Sequence, residues 1–279
     1  MESLGTIKKY QIIKETPLGY MISCGKCEYF LHRAETAYQQ LKIGDSVEAF
    51  IYLDKKGRLA ATLHRPMITV DTFAFVPVVE VLKNVGVFVD IAISKDVLVS
   101  GDDLPKSLNN WPHPGDRLLC KLKVKAGRLL AKPLIKEEVP AAGPETELIK
   151  GVVTAYVIKI FAAGLLLANE NYLLIYVHSG EQRKDYRLGQ KLDIKIIGKN
   201  ENGYQGSIKT SVINLDGNLI LDYLKKNHGV MTITEKSSPE VIYRVFKISK
   251  KAFKNALGRL YKEKRIDILP DKIILLKAN

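Results

Sequence analysis

Four cations near the C-terminal end recur at helical spacing. Lys251, Lys254, Lys262 and Arg265, with Gly258 between them, step by 3, 4, 4 and 3 residues. On a helix such steps align side chains along one stripe, and a row of fixed positive charges can neutralise successive phosphates of a nucleic-acid backbone. Arg244 and Lys247 extend this basic surface from the preceding segment. Lys prevails over Arg and Asn here, so bidentate readout of base edges is poorly supported and sequence-independent phosphate contact is the expected chemistry. The alternative is a solvated helix face.

Other reactive groups are sparse. Cys24-Gly25-Lys26-Cys27 has the spacing of half a zinc site or of a redox pair. Its only companion, Cys120, lies far away in the chain with no second C-x-x-C, so Gly25-Lys26 reads as a hairpin turn and neither metal nor other cofactor is expected. Asp102-Asp103 and Glu137-Glu138 are paired acids, the latter opening a stretch that reads as an inter-domain linker (KEEVPAAGPETE, 136–147). Solvated roles are expected for both pairs. The chain contains no P-loop, no G-x-S-x-G, no H-E-x-x-H and no Gly-rich dinucleotide fingerprint, so no enzymatic activity is expected.

The 279 residues carry a formal net charge of +13, with 46% hydrophobic and 26% charged residues. This is globular composition, incompatible with wholesale disorder or a fibrous repeat. The longest nearly uncharged apolar stretch, Ile160 to Asn169, is about half of a membrane span. The N-terminus has no secretory pattern, and three Cys suit a reducing compartment, so a cytoplasmic protein with an anionic partner is expected. The charge is uneven: residues 211–279 hold 14 Lys/Arg and 7 Asp/Glu, which supplies +7 of the +13.

The elements that would carry these residues are written in an internal repeat. Gly19 (LGYMIS), Gly86 (VGVFVDI) and Gly164 (AGLLLAN) each open an apolar run. A polar turn and a second β-rich run follow: EYFLH, VLVS and YLLIYVH. Gly44-Asp45, Gly115-Asp116 and Gly189-Gln190 come 25, 29 and 25 residues after the first glycines, and Gly57, Gly127 and Gly203 another 13, 12 and 14 residues on. The turns aligned with Cys24–Cys27 hold no Cys. Counting the strand before each first glycine (Thr6–Lys14, Phe75–Val81, Val152–Ile160), every copy has five short strands with period-two alternation. Five antiparallel strands with an early bend glycine predict an OB-type barrel, the alternative being a bare β-sandwich. Pro77 predicts an edge or a bulge in the second copy.

After about Ser211 the period changes to 3.6. Asp216–Asn227 presents Leu219, Ile220, Tyr223 and Leu224 and is closed by His228-Gly229. Ser238-Pro239 starts a second helix and Ser249 caps a third with Phe253, Ala256, Leu257 and Leu260 on its buried side. Two strands, Ile266–Leu269 and Ile273–Leu276, complete a winged helix-turn-helix pattern.

The repeats resemble the RNA-binding OB module named for the largest protein of the small ribosomal subunit. With the C-terminal module, the chain resembles the CvfB (conserved virulence factor B) family along essentially its whole length. WPHPGDRL (111–118), the block 238–266 and the strands GRLAATL and GRLLAKP carry the likeness. The resemblance implies a non-enzymatic, cytoplasmic RNA-binding regulator of Gram-positive bacteria. It also implies binding positions: a ring just before the bend glycine, another two residues after it, a His ending the third strand, and an Asp and Arg around the last turn. Copy one has Leu18 and Met21 in place of the rings but keeps His32, Asp54 and Arg58. Copy two has Val85, Phe88, Val99 in place of His, and Arg128. Copy three has Ala163 and Leu166, keeps His178, and replaces the charged pair by Asn200 and Tyr204. No copy has the full set, which favours weak sites linked along a multidomain surface.

The expected architecture is mainly β: OB-type barrels at 1–66, 67–140 and 141–211, then a winged helix at 212–279. The expected partner is single-stranded RNA, with no membrane association. The alternatives are a DNA-binding transcriptional regulator, or a scaffold that docks on a ribosome or a nuclease complex.

Overall fold

The computed structural model describes residues 3–140, 151–181, 185–200 and 203–276. The first barrel is formed by β1 (Ile7–Thr16), β2 (Gly19–Ser23), β3 (Glu28–His32), β4 (Ser46–Leu53) and β5 (Leu59–Thr62), closed in the order β1-β2-β3-β5-β4. The second uses β6 (Phe73–Leu82), β7 (Gly86–Val89), β8 (Val97–Ser100), β9 (Arg117–Lys125) and β10 (Arg128–Pro133). The third uses β11 (Gly151–Phe161), β12 (Gly164–Ala168), β13 (Leu174–His178), β14 (Lys191–Asn200) and β15 (Gly203–Ser207). All three close in the same order, with a parallel pairing of the third and fifth strands. That is the OB arrangement, so the sandwich alternative falls.

Period-two alternation produces these barrels directly. Tyr10, Ile12, Tyr20, Ile22, Tyr29 and Leu31 point into the first barrel and are at most 6% exposed, while the residues between them face outward. The first strand of every barrel shifts register at the same place, between Ile12 and Lys14, Val78 and Glu80, and Val157 and Lys159. Pro77 lies just before the second of these. Because the other two barrels bulge without a proline, the bend belongs to barrel closure rather than to Pro77, and no edge strand is present there.

The bend glycines have a steric cause. A Cβ on Gly19, Gly86 or Gly164 would collide with the carbonyl oxygen of Leu31, Val99 or Val177 on the neighbouring strand. This close approach pairs Gly19 with His32, Gly86 with Ser100 and Gly164 with His178.

The chain divides into two compact units: the barrels, save short stretches of β11, β14 and β15, and a C-terminal module. In the latter, α1 (Lys209–Lys226) begins seven residues before Asp216, where the helical period was expected to start. Its buried side is Ile220, Leu221 and Leu224; Leu219, expected inside, is exposed. Asn227–Gly229 ends the helix, with the Gly229 N–H donating to the Leu224 carbonyl at 2.7 Å. There follow β16 (Val230–Met231), α2 (Pro239–Phe246), α3 (Lys250–Lys262), β17 (Ile266–Ile268) and β18 (Ile273–Leu275). Ser238 and Ser249 cap α2 and α3 through the Val241 and Ala252 amides. Phe253, fully buried against Phe246, contributes about 2–3 kcal/mol by burial. The wing is three-stranded, β16-β18-β17; two residues were too few for β16 to show a period.

Gly86→Ala is expected to destabilise the protein by roughly 2–3 kcal/mol, because the added Cβ meets backbone rather than a mobile side chain. Gly25→Ala, whose Cβ would enter open space at φ +88°, should cost about 1 kcal/mol. Urea unfolding of the two variants beside the parent checks the difference.

Candidate nucleic-acid interface

The glycine-fixed register sets a pair of outward positions on each barrel, one two residues after the glycine and one directly across on the next strand. These pairs are Met21–Phe30, Phe88–Leu98 and Leu166–Tyr176. Each contains one aromatic ring, on the second strand in the middle barrel and on the third strand in the other two. The ring positions expected from the sequence, just before the glycine and two residues after it, both lie on or next to the second strand, so Phe88 was found and Phe30 and Tyr176 on the third strand were missed. The available signal was the ring two residues before His in EYFLH and LLIYVH.

His32 and His178 end their strands exposed, and each Nδ1 accepts an amide at 3.1 Å, from Ala34 and Gly180 respectively. The bond holds the ring, fixes Nδ1 as acceptor and leaves Nε2 as the donor. Asp54 accepts the Lys56 and Arg58 amides through Oδ1, at 2.8 and 2.9 Å, and the Arg58 Nε and Nη2 through Oδ2, at 2.9 and 2.7 Å. The Arg58 bonds, backbone first, hold its carboxyl below the ordinary carboxylate value. Asp54 therefore builds the β4–β5 turn and orients Arg58, which stays exposed. Arg128 opens β10 in the corresponding place and is exposed.

Tyr204 requires a correction. It is only 2% exposed, inside the third barrel with Lys199 Nζ 5.0 Å from its ring centre, so it offers no face to a base. Its neighbour Gln205 lies opposite Tyr176 on the outer face instead.

Neighbouring barrels complete these faces. Lys95 of the second barrel donates to the Leu53 and Asp54 carbonyls at 3.0 Å each, and the Tyr52 hydroxyl meets Ser94 Oγ at 3.1 Å. These bonds seat the β4–β5 turn beside Phe88 and leave a groove of about 300 Å³ that Phe88 and Arg128 share with Lys55 and Gly57. The second and third barrels meet through Arg187, which grips Asp116 with Nε at 2.5 Å and Nη2 at 3.1 Å. Arg117 reaches Glu170 and lies over the Phe75 and Tyr156 rings. Leu166 is buried at this junction with Leu134 and Val139. A second groove, about 510 Å³, is lined by Tyr176, Phe161, Gln205 and Lys136.

Lys136 sits in a 3₁₀ turn, Lys136–Glu138, expected to be linker; residues 141–147 of that linker lie outside the described residues. Glu138 is not solvated as expected. It pairs with Lys121 at 2.6 Å and Lys132 at 3.3 Å and accepts the Ile135 amide, which draws its carboxyl down to about 2, the Lys121 bond contributing most. Asp103 likewise pairs with Lys123 at 2.6 Å. Cys24 and Cys27 are exposed thiols joined across their turn by the Cys24 amide and Cys27 carbonyl.

In the C-terminal module Lys251, Lys254 and Lys262 lie on the exposed side of α3, with Glu235 at 3.6 Å from Lys254. Arg265 lies past the helix end and lines a small polar pocket with Arg259 and Asn218, so the stripe on α3 itself is three lysines. Arg244 is exposed on α2, and Lys247, its left-handed cap at φ 57°, places Nζ 5.7 Å from the Tyr243 ring centre. Among the described residues no helix is long and apolar enough to cross a membrane.

Tandem S1-like OB barrels with a C-terminal winged helix are the class these features define. Family models agree: an S1 domain over residues 4–64, the CvfB first S1-like domain over 73–132, and the CvfB-like winged helix domain over 218–275. The chain is 33% identical to the uncharacterized protein YitL of Bacillus subtilis, covering 90% of this chain and 87% of YitL. It is 35% identical to conserved virulence factor B of Staphylococcus aureus, covering 85% and 82%. The chain belongs to the CvfB family. A crystal structure of a Streptococcus pneumoniae multidomain protein with nucleic acid binding domains aligns over 99% of both chains, with 31% identity and a TM-score of 0.65.

The Glu138 cluster predicts an acid-sensitive anchor between the Lys136–Glu138 turn and the second barrel. Its folded-state value lies below the ordinary 4.5, so its contribution is present above about pH 4.5 and is lost as pH falls toward 2. Glu138→Gln should remove about 1–2 kcal/mol at pH 7 and little at pH 2, measured by urea unfolding at both.

Proposed function

We propose that this protein is a non-enzymatic regulator that binds single-stranded RNA. The observation that carries the reading is the recurring outer face: one ring per barrel at the glycine-fixed pair, beside His32 and Arg58, Arg128, or His178. Bases stack on such rings without strong sequence preference, while imidazole and guanidinium groups meet phosphates and base edges. The winged helix adds Lys251, Lys254, Lys262, Arg244 and Lys247 as phosphate contacts. Several weak sites on one chain then act by avidity. The S. pneumoniae relative with nucleic acid binding domains supports the nucleic-acid reading. Exposed thiols at Cys24 and Cys27 suit a reducing cytoplasm.

A duplex-DNA reading has its own observation, the lysine stripe on α3, which is the second helix of a helix-turn-helix pair. Competition between labelled single-stranded RNA and duplex DNA at moderate salt separates the two. Preference for the RNA is expected, and preference for duplex would overturn the reading.

The triple change Lys251→Glu, Lys254→Glu and Lys262→Glu should weaken binding about 10-fold or more and flatten its salt dependence. Titration at two salt concentrations checks this, and an unchanged slope removes α3 from the interface.

A further inference from the structure

The groove between the first two barrels is neither a property of one OB unit nor a leftover of imperfect packing. Its floor and one wall come from the second barrel, with Phe88 and Leu98 side by side on β7 and β8 and Leu130 on β10. The opposite wall is the first barrel's β4–β5 turn, which contributes Lys55 and Gly57. Two sets of bonds hold that turn in place. Asp54 closes it from within through the Lys56 and Arg58 amides, and Lys95 grips it from across the junction through the Leu53 and Asp54 carbonyls. Tyr52 and Ser94 add a further cross-junction bond. Lys95 spends its ammonium on these carbonyls, whereas Lys55 and Arg128 are exposed, one from each barrel.

We propose that this groove is a composite site for one nucleotide of a single-stranded RNA, in which the first barrel supplies a phosphate-binding cation to the base platform of the second. The inference rests on the RNA-binding reading and assigns a place within it. The volume, about 300 Å³, is at the lower end of small-ligand pockets and suits a single base with its sugar. Phe88 offers the ring on which the base stacks, and Leu98 and Leu130 extend the apolar surface beneath it. Lys55 and Arg128 contact the flanking phosphodiesters. Gly57 presents no side chain on the first-barrel wall, so the strand can approach that backbone closely. Asp96, also in the lining, accepts from a base amino group and repels a dianionic terminal phosphate, favouring an internal nucleotide over a free one.

The arrangement explains why the second barrel manages without the strand-ending histidine: the position across from Gly86 holds Ser100, not Val99 as the repeat spacing suggested, since Val99 points inward, and the first barrel supplies a cation in place of the imidazole. It also makes Lys95 a positioning residue rather than a contact.

Full-length protein is titrated with a fluorescein-labelled single-stranded RNA 12-mer of mixed sequence at several salt concentrations. Phe88→Leu, which keeps apolar volume but loses the ring, is expected to weaken binding about 10-fold. Lys55→Gln is expected to weaken it about 3- to 10-fold and to lower the salt slope by about 0.7, the value for one single-strand phosphate. Lys26→Gln, a control lysine in the β2–β3 turn, should change neither. A double-mutant cycle of Phe88→Leu with Lys55→Gln should be non-additive, since both act on one nucleotide. If Phe88→Leu weakens binding while Lys55→Gln matches the Lys26→Gln control, the composite site is overturned and the RNA reading stands. Failure of the parent protein to bind the 12-mer overturns both.

Discussion

At three places in this chain a second strand passes so close under the carbonyl of a third strand that no side chain fits. The carbonyls belong to Leu31, Val99 and Val177, and the residues beneath them are Gly19, Gly86 and Gly164. This contact sets the pairing of the two strands, and a slip by one residue would exchange the inner and outer faces of the barrel. Everything on the outer face inherits that register. The facing pairs that hold Phe30, Phe88 and Tyr176 exist because the glycine lies opposite His32, Ser100 or His178 and not one residue away.

On that scaffold the barrels vary in a compensated way. The ring moves between adjacent strands but remains in the same surface pair. Polar contacts move between barrels: the second lacks the strand-ending histidine but lies next to Lys55, and the third lacks an arginine in its last turn but lies next to Lys136. Such borrowing requires defined junctions. Lys95 on two carbonyls and Arg187 on Asp116 give directional, charge-assisted bonds at each one, and Glu138 between Lys121 and Lys132 fastens the turn that carries Lys136 to the second barrel. Asp103, Asp116 and Glu138 thus read as structural acids, and the acidic residues near the faces shape turns more than they repel a polyanion.

Much of the fold was legible because its signals are local. Alternation along each strand, glycine spacing, and the serine caps at Ser238 and Ser249 are decided within a few residues of themselves. The departures have equally local causes. Leu219 and Leu221 both fit an apolar period, and only packing against α3 and the wing selects Leu221. Helix α1 starts at Lys209 with Ile208 as an N-cap that makes no side-chain bond, so no local capping signal marked that start. Tyr204 occupied a repeat position where other copies carry charge, and alternation along β15 turned it inward. The candidate site was legible in part: His32, Asp54, Arg58, Phe88, Arg128 and His178 follow from the binding positions that the family resemblance implies, carried onto the aligned repeats, whereas Phe30 and Tyr176 required the cross-strand register.

The amino-acid sequence by itself determined that this is a string of small β-barrels with a basic helical module at its end, since periodicity, turn chemistry and charge are properties of neighbouring residues. Tertiary structure alone decided which side chains share a surface. Lys55 and Phe88, or Lys136 and Tyr176, are more than 30 residues apart in the chain, and no spacing rule relates them. Their proximity follows from how one closed barrel seats against the next through buried and charge-assisted contacts, and those depend on the folded shapes of both partners.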